Sequence, residues 1–305
     1  MRRRDYAGPD DLLAMQRAVQ RSWSPERYRH VGDLAWRRHA IPGQEPDWRT
    51  ALWEDGEDAV MAWGWAELAG HLELHVDPAH PELAGDVLEW FDAVATGSER
   101  SATVMETDAS LITALEHAAY RPVTDAPFFE HCIIELDDSV LARTLPEGYR
   151  LRTVREDEAE GRAAAHRSAW RPGRIGDLLV PPIDLGDAES RVTTESYQAV
   201  MDAWPYRHAL DLVVEAPDGS LAASALGWLD EINRVGELEP VGTDPSHARR
   251  GLGSAVSLAC LHALREAGAM RAVVYPRGDG AYPVAKRLYL GLGFRSVART
   301  VTYAR

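Results

Sequence analysis

Apolar and polar positions along this chain follow a pattern that occurs twice. The runs Arg17-Ala18-Val19-Gln20-Arg21-Ser22-Trp23 and Ala164-Ala165-His166-Arg167-Ser168-Ala169-Trp170 each read as a first helix, their tryptophans 147 positions apart. Leu74-His75-Val76-Asp77-Pro78 and Val241-Gly242-Thr243-Asp244-Pro245 each read as a strand ended by a proline turn, at an offset of 167. Leu115 to Arg121 and Tyr289 to Arg295 then match at an offset of 174, a helix end followed by an aromatic that opens the next strand. The order is kept and the offset grows, so the second copy carries an insertion, placed at 171–206 by its richness in Pro, Gly, Asp and aromatics. Such a segment suits a substrate loop or lid. Strands at 208–215, 221–229 and 272–275 alternate with helices and with turns such as Pro217-Asp218-Gly219, which predicts an α/β fold with a mixed sheet (α+β). The polar stretch 136–149 divides the copies, giving a first domain at 1–140, a linker at 141–148 and a second domain at 149–305.

A length of 305 residues agrees with two domains, each large enough to bury its own core. No apolar run approaches the roughly 18 residues of a membrane span. The basic start Met1-Arg2-Arg3-Arg4 is followed by charge rather than by an apolar stretch, so a cytoplasmic protein is expected. Cys132 and Cys260 are too few for a disulfide scaffold or a thiolate cluster. A net charge of -15 opposes nucleic acid and favours cationic small molecules. Lys286 is the only lysine, which codon bias towards arginine explains.

The sharpest local signal runs from Thr243 to Val256, where a strand passes through Asp244-Pro245 and Arg249-Arg250-Gly251-Leu252-Gly253-Ser254 into a helix reaching about 267. Glycines at a helix start let successive backbone N–H groups face one anion, and the helix dipole adds positive potential there. Arg249 and Arg250 add charge at the rim. A dinucleotide fold would need an acidic residue at the end of the next strand, which instead ends Val273-Val274-Tyr275-Pro276, and only about fifty residues follow the loop. A Gly-x-x-x-x-Gly-Lys-Ser/Thr loop does not occur.

From 237 to 294 the chain resembles the GNAT superfamily of acyl-CoA N-acyltransferases: strand, Asp-Pro, basic residues, Gly251-Leu252-Gly253, helix, strand, then Ala285-Lys286-Arg287-Leu288-Tyr289-Leu290-Gly291-Leu292-Gly293-Phe294. Two positions depart from that pattern, Ala248 in place of Gln or Arg and Tyr282 in place of Asn. The resemblance implies two tandem GNAT-like domains, with acetyl-CoA as cosubstrate and no metal. It places the coenzyme diphosphate on the N–H groups of Arg249, Arg250, Gly251, Leu252, Gly253 and Ser254. The pantetheine arm falls beside the main chain of Val241 and Thr243, with an oxyanion donor near Val241. The duplicated layout also resembles that of the mycothiol synthases.

An alkyl amine arrives protonated at neutral pH and needs a base. Glu237 and Glu239, two apart on the strand before the loop, are expected on one face, with Glu239 the first choice. The resemblance makes Tyr289 the acid that protonates the leaving thiolate. No Gly-x-Ser-x-Gly elbow or Cys/His pairing indicates a covalent intermediate, so direct transfer to a primary amine is expected.

The first copy follows Val76-Asp77-Pro78 with Ala79-His80-Pro81-Glu82-Leu83-Ala84-Gly85-Asp86 and has Leu115 where the second has Tyr289. Acidic residues thus replace the paired glycines and arginines, and this copy reads as a non-catalytic scaffold. His71, Glu73 and His75, with His80 nearby, could be metal ligands, but a solvated strand face is the simpler reading. Trp170, Trp204, Tyr206 and Trp228, with Asp187, Glu189 and Asp230, offer an aromatic and acidic pocket for a cation. An acyl-CoA sensor without turnover remains the alternative from another class.

Overall fold

The protein is described by a computed structural model covering residues 1–27, 29–138 and 143–305; the start of the expected linker at 141–148 lies outside the described residues. The first half runs β1 (Arg2–Asp5), α1 (Pro9–Ser22), α2 (Val31–Ala40), β2 (Trp48–Glu54), β3 (Val60–Glu67), β4 (His71–Val76), α3 (Leu83–Val94), β5 (Ser101–Met105), α4 (Ala109–His117), β6 (Arg121–Pro122) and β7 (Glu130–Glu135). The second continues β8 (Arg150–Thr153), α5 (Ala159–Ala169), α6 (Pro172–Asp177), α7 (Thr194–Asp202), β9 (Asp211–Glu215), β10 (Leu221–Asp230), β11 (Val235–Thr243), α8 (Leu252–Glu266), β12 (Arg271–Val274), α9 (Pro283–Gly291) and β13 (Arg295–Ala304).

Local sequence explains the main elements. Pro9 opens α1 at its first turn with Asp10 and Asp11 behind it, and Leu12, Met15 and Val19 recur at helical spacing to face the sheet. In α8, Leu252, Val256, Cys260 and Leu264 repeat every four residues and bury against β9, β10 and β11. Almost every residue of β10 is buried, because helices cover both faces of the sheet there.

Among the described residues the strands form one sheet in the order β1-β2-β3-β4-β5-β13-β7-β12-β11-β10-β9-β8, with β6 beside β13. The two halves exchange strands at its centre. β7, the last strand of the first half, lies between β12 and β13 of the second. β13 pairs with β7 through Arg295–Arg299 and then with β5 through Thr300–Ala304, so the end of the chain closes the first half. Each half contains one parallel pair, β4 with β5 and β11 with β12, and in both the pairing is brief. β11 meets β12 only from Val235 to Glu237, after which the chain beyond β12 turns towards β7, where the Glu130 N–H donates to the Pro276 carbonyl at 2.9 Å. The sheet therefore opens alongside residues 238–243.

Candidate active site

The opening holds a cavity of about 580 Å³ that runs from the start of α8 along β11 to Tyr289. Its first wall is the loop before α8. Asp244 caps the short turn at Pro245–His247 by accepting from the Ser246 N–H at 2.7 Å. Arg249 and Gly251 then adopt left-handed conformations, φ 61° and 78°, which turn neighbouring N–H groups towards one concavity. Gly251 is the helix N-cap and has no side chain to cap the first turn, so the N–H groups of Leu252, Gly253 and Ser254 face the cavity. At Gly253 a Cβ would lie 2.9 Å from Thr243 Oγ1, so only glycine lets α8 approach β11 this closely.

The second wall is the free edge of β11. Asp244 N–H donates to the Ala222 carbonyl, which in an antiparallel ladder makes Gly242–Ser224 the next hydrogen-bonded pair. The main-chain groups of Val241 and Thr243 consequently point away from β10, into the opening. Between Val241 and Leu238 the ladder is irregular: Glu239 and Pro240 together oppose Leu226. Proline lacks an N–H to pair, and a bulge of this kind re-aims the side chain within it.

Glu237 and Glu239 stand two apart at the start of that irregularity, with Leu238 between them in the core packed against α8. Glu239 is half-buried and lines the cavity, with its carbonyl accepting from Trp228 Nε1 at 2.6 Å. Burial, the charge of Glu237 and the charge of Asp33 push its carboxyl up to about 8. Glu237 is fully buried behind it, its Oε2 3.1 Å from Nδ1 of His30. Tyr289 lines the far end of the cavity, packed edge-on against Phe294 at 5.6 Å between centroids. Burial first, and then the carboxylates of Glu239 and Glu237, hold its hydroxyl well above 10, so it stays protonated.

Arg249 also lines the cavity, and its guanidinium donates to the Leu178 carbonyl beyond α6. This bond ties the 171–206 insertion across the opening, where Ile175, Leu178 and Leu179 form the outer wall. The insertion is partly helical, and α7 packs on α5 and on α2 of the first half. Arg250 is exposed beside the Tyr149 ring and does not line the cavity. Ala248 and Tyr282 both line it.

The aromatic and acidic pocket expected for a cation is not assembled. Trp228 and Asp230 are fully buried, Asp230 being held by Gln20 at 2.7 Å and Asn233 at 2.6 Å. Trp204 lies under Arg17, and Tyr206 donates to Asp211 at 3.3 Å. Of that set only Trp170, stacked on His166 at 4.8 Å, reaches the cavity. In the first half, Glu73 is bound by Arg29 and Arg37, His75 stacks on Trp63 and His71 Nδ1 lies 2.9 Å from Ser101 Oγ. Among the described residues no cluster of His, Cys, Asp or Glu is arranged to hold a metal ion. Both cysteines are buried, and burial pushes the Cys132 thiol up to about 11, so neither is a ready nucleophile. The opening between β4 and β5 is filled by Trp23, Arg27, Arg29 and Leu111, leaving about 30 Å³.

The pattern of the acetyltransferase (GNAT) family matches residues 183–294. A mycothiol acetyltransferase from Clavibacter sepedonicus is 30% identical over 262 residues, 81% of this chain and 76% of its own length. The chain belongs to the GNAT acetyltransferase family. Members of that family take their acetyl group from acetyl-CoA, so this protein is an acetyl-CoA-dependent N-acetyltransferase. The mycothiol acetyltransferase of Rhodococcus erythropolis matches it at 27% identity over 88% of each chain. A tandem GNAT protein from the clavulanic acid biosynthesis pathway shares its fold with a TM-score of 0.62 at 16% identity, covering 100% of this chain and 98% of its own. A GCN5-related N-acetyltransferase from Sphaerobacter thermophilus does so with a TM-score of 0.58 at 18% identity, covering 100% and 95%.

Two features of this acetyltransferase's site escape sequence reasoning. His30 and Asp33 reach Glu237 and Glu239 from the first half, and Phe129, Tyr275 and Arg277 line the cavity from strand ends that the exchange brings together. The only local signal for the first pair is a short helix start, where His30 Nδ1 lies 3.1 Å from the Gly32 nitrogen and reads as an ordinary cap.

Proposed function

We propose that the cavity of the second half holds acetyl-CoA and that an amine attacks its thioester directly. The observation that carries this reading is the continuity of three unlike surfaces: uncapped N–H groups at the start of α8, unpaired main chain at Val241 and Thr243, and a carboxyl and a phenol at the inner end. The N–H groups of 249–254 suit the diphosphate, with Arg249 beside them and Arg250 contributing long-range charge from outside the wall. The edge of β11 suits the amide-bearing pantetheine arm. The Val241 N–H is then the donor for the developing oxyanion, an interaction typically worth ~10²–10³ in rate.

Glu239 is the base. A carboxyl raised to about 8 is a stronger base than an ordinary carboxylate, and its ionised fraction can take a proton from an ammonium group through water. Glu237 has no opening to the cavity and serves behind it. Tyr289 returns a proton to the departing thiolate, which the strong retention of its own proton permits. The first half contributes walls and packing; its acidic α3 start and filled opening fit a non-catalytic domain.

The relatives' name points to a small-molecule amine of the kind that mycothiol acetyltransferases act on. The net charge of -15 favours such an acceptor as a cation. Two unpaired, buried cysteines suit a reducing cytoplasm. Among the described residues no helix is long and apolar enough to cross a membrane. Release of coenzyme A, followed on a panel of amines that includes the acceptor of the mycothiol acetyltransferases, tests the reading. Turnover on that acceptor supports it, whereas acetyl-CoA binding without turnover on any amine favours a sensor.

A further inference from the structure

We propose that His30, carried by the first half, is a positioning residue of the active site: it holds the Glu237 carboxylate in an imidazolium–carboxylate pair directly behind Glu239 and thereby fixes the charge that Glu239 faces. This makes the first half part of the catalytic apparatus rather than a wall beside it. The inference rests on the reading of Glu239 as the base.

The geometry assigns the protons. His30 is fully buried, and its Nε2 lies 3.1 Å from the Val235 carbonyl, which can only accept, so Nε2 carries a hydrogen. Its Nδ1 lies 3.1 Å from Glu237 Oε2 and 3.1 Å from the Gly32 nitrogen. A bare Nδ1 would accept from Gly32 and turn its lone pair towards a carboxylate oxygen that is itself buried and has no hydrogen-bond partner among the described residues. A hydrogen on Nδ1 gives that oxygen its donor. The main chain at Asp33 favours the ionised form of the Glu237 carboxyl, while the Asp33 charge opposes it.

Other groups face the pair from each side. Glu239 stands on the same strand, Asp33 on α2, Asp230 at the end of β10, His131 on β7 and Tyr289 on α9. The nearby Arg29 is committed to Asp33 at 2.6 Å and to Glu73. Burial pulls His30 down, but the Glu237 hydrogen bond and charge outweigh it, with help from Val235 and Asp230, so the ring titrates above its usual 6.5. Burial holds the Glu237 carboxyl above its ordinary range, and His30 lowers it only in part. Without His30 the buried Glu237 keeps its own proton, the negative charge beside Glu239 disappears, and Glu239 ionises at lower pH.

Two readouts test this on the full-length protein. In ¹⁵N-histidine spectra, the resonance lost in His30→Gln identifies the ring; at pH 7 both its nitrogens should carry hydrogen in the wild type and only one in Glu237→Gln. In kcat/KM profiles, the acidic limb should move down by about one pH unit in His30→Gln and in Glu237→Gln alike, the shift a neighbouring charge typically imposes. The double variant should show no further movement. A neutral His30 ring at pH 7 in the wild type, or limb shifts that add in the double variant, overturns the proposal. If His30→Gln does not fold, the wild-type and Glu237→Gln spectra still decide it, with the ring identified by its response to Glu237. If instead Glu239→Gln keeps the wild-type limb, the base assignment fails while the spectra still report on the pair.

Discussion

Replacing Glu239 with glutamine keeps the shape of the side chain and removes its ability to take a proton. With the carboxyl pushed up to about 8 by burial and by the charges of Glu237 and Asp33, roughly a tenth of it is ionised at pH 7 and about nine-tenths at pH 9. Wild-type kcat/KM should therefore climb about tenfold between pH 7 and 9, with an inflection near 8. The glutamine variant should lose that inflection and fall by ~10²–10⁴ on the plateau, the usual contribution of a positioned base. A second readout needs no substrate. A carboxyl that binds its proton more tightly folded than unfolded costs stability as pH rises from about 4.5, and the cost stops growing near pH 8. The melting temperature of Glu239→Gln relative to wild type should therefore rise between those pH values and level off above them. Stopped-assay rates across pH 6 to 9 and parallel melts decide the matter. A flat wild-type profile, or a glutamine variant that retains wild-type rates, refutes the reasoning.

Gly253→Ala places a Cβ 2.9 Å from Thr243 Oγ1 at the junction of α8 and β11, so coenzyme A affinity should drop about tenfold or more, the equivalent of a mild overpacking strain, as read by calorimetry. Tyr289→Phe should slow thiol release by ~10²–10⁴ and leave the coenzyme dissociation constant unchanged; equal losses in both would mark a packing role. Asp211→Asn should destabilise the fold by about 3–5 kcal/mol in denaturant titration, because Arg162, fully buried and 3.0 Å from that carboxylate, loses its counter-charge.

The conformation of the loop before α8 was legible because its signals are local: glycines at 251 and 253, a proline turn and a helix start stand within one short run, and the backbone angles follow from them. The duplicated plan was legible for the same reason, since β4 with its proline turn and β11 with its own carry one signature. Strand exchange was not. A strand such as β7 carries the same alternation whichever sheet it joins, and its partners β12 and β13 follow it by more than a hundred residues. Glu237 and Glu239 were legible as a pair two apart on β11, but the difference in their burial was not, because it depends on His30 packing against Glu237 from the first half. His30 stands more than two hundred positions from Glu237, and nothing near it marks a partner so distant. The tryptophans at 204 and 228 could have faced a ligand or the core, and the core prevails at Trp228, since β10 is covered on both faces and its indole is one of the largest fully buried side chains.

The central claim, that the start of α8 grips a diphosphate and the edge of β11 carries the arm attached to it, is tested most directly by comparing two titrations of the same protein in a calorimeter. Coenzyme A should bind, and pantetheine, which offers the arm without the diphosphate, should bind at least a hundredfold more weakly, about 2.7 kcal/mol less. Equal affinities, or no measurable binding of either, would contradict the account.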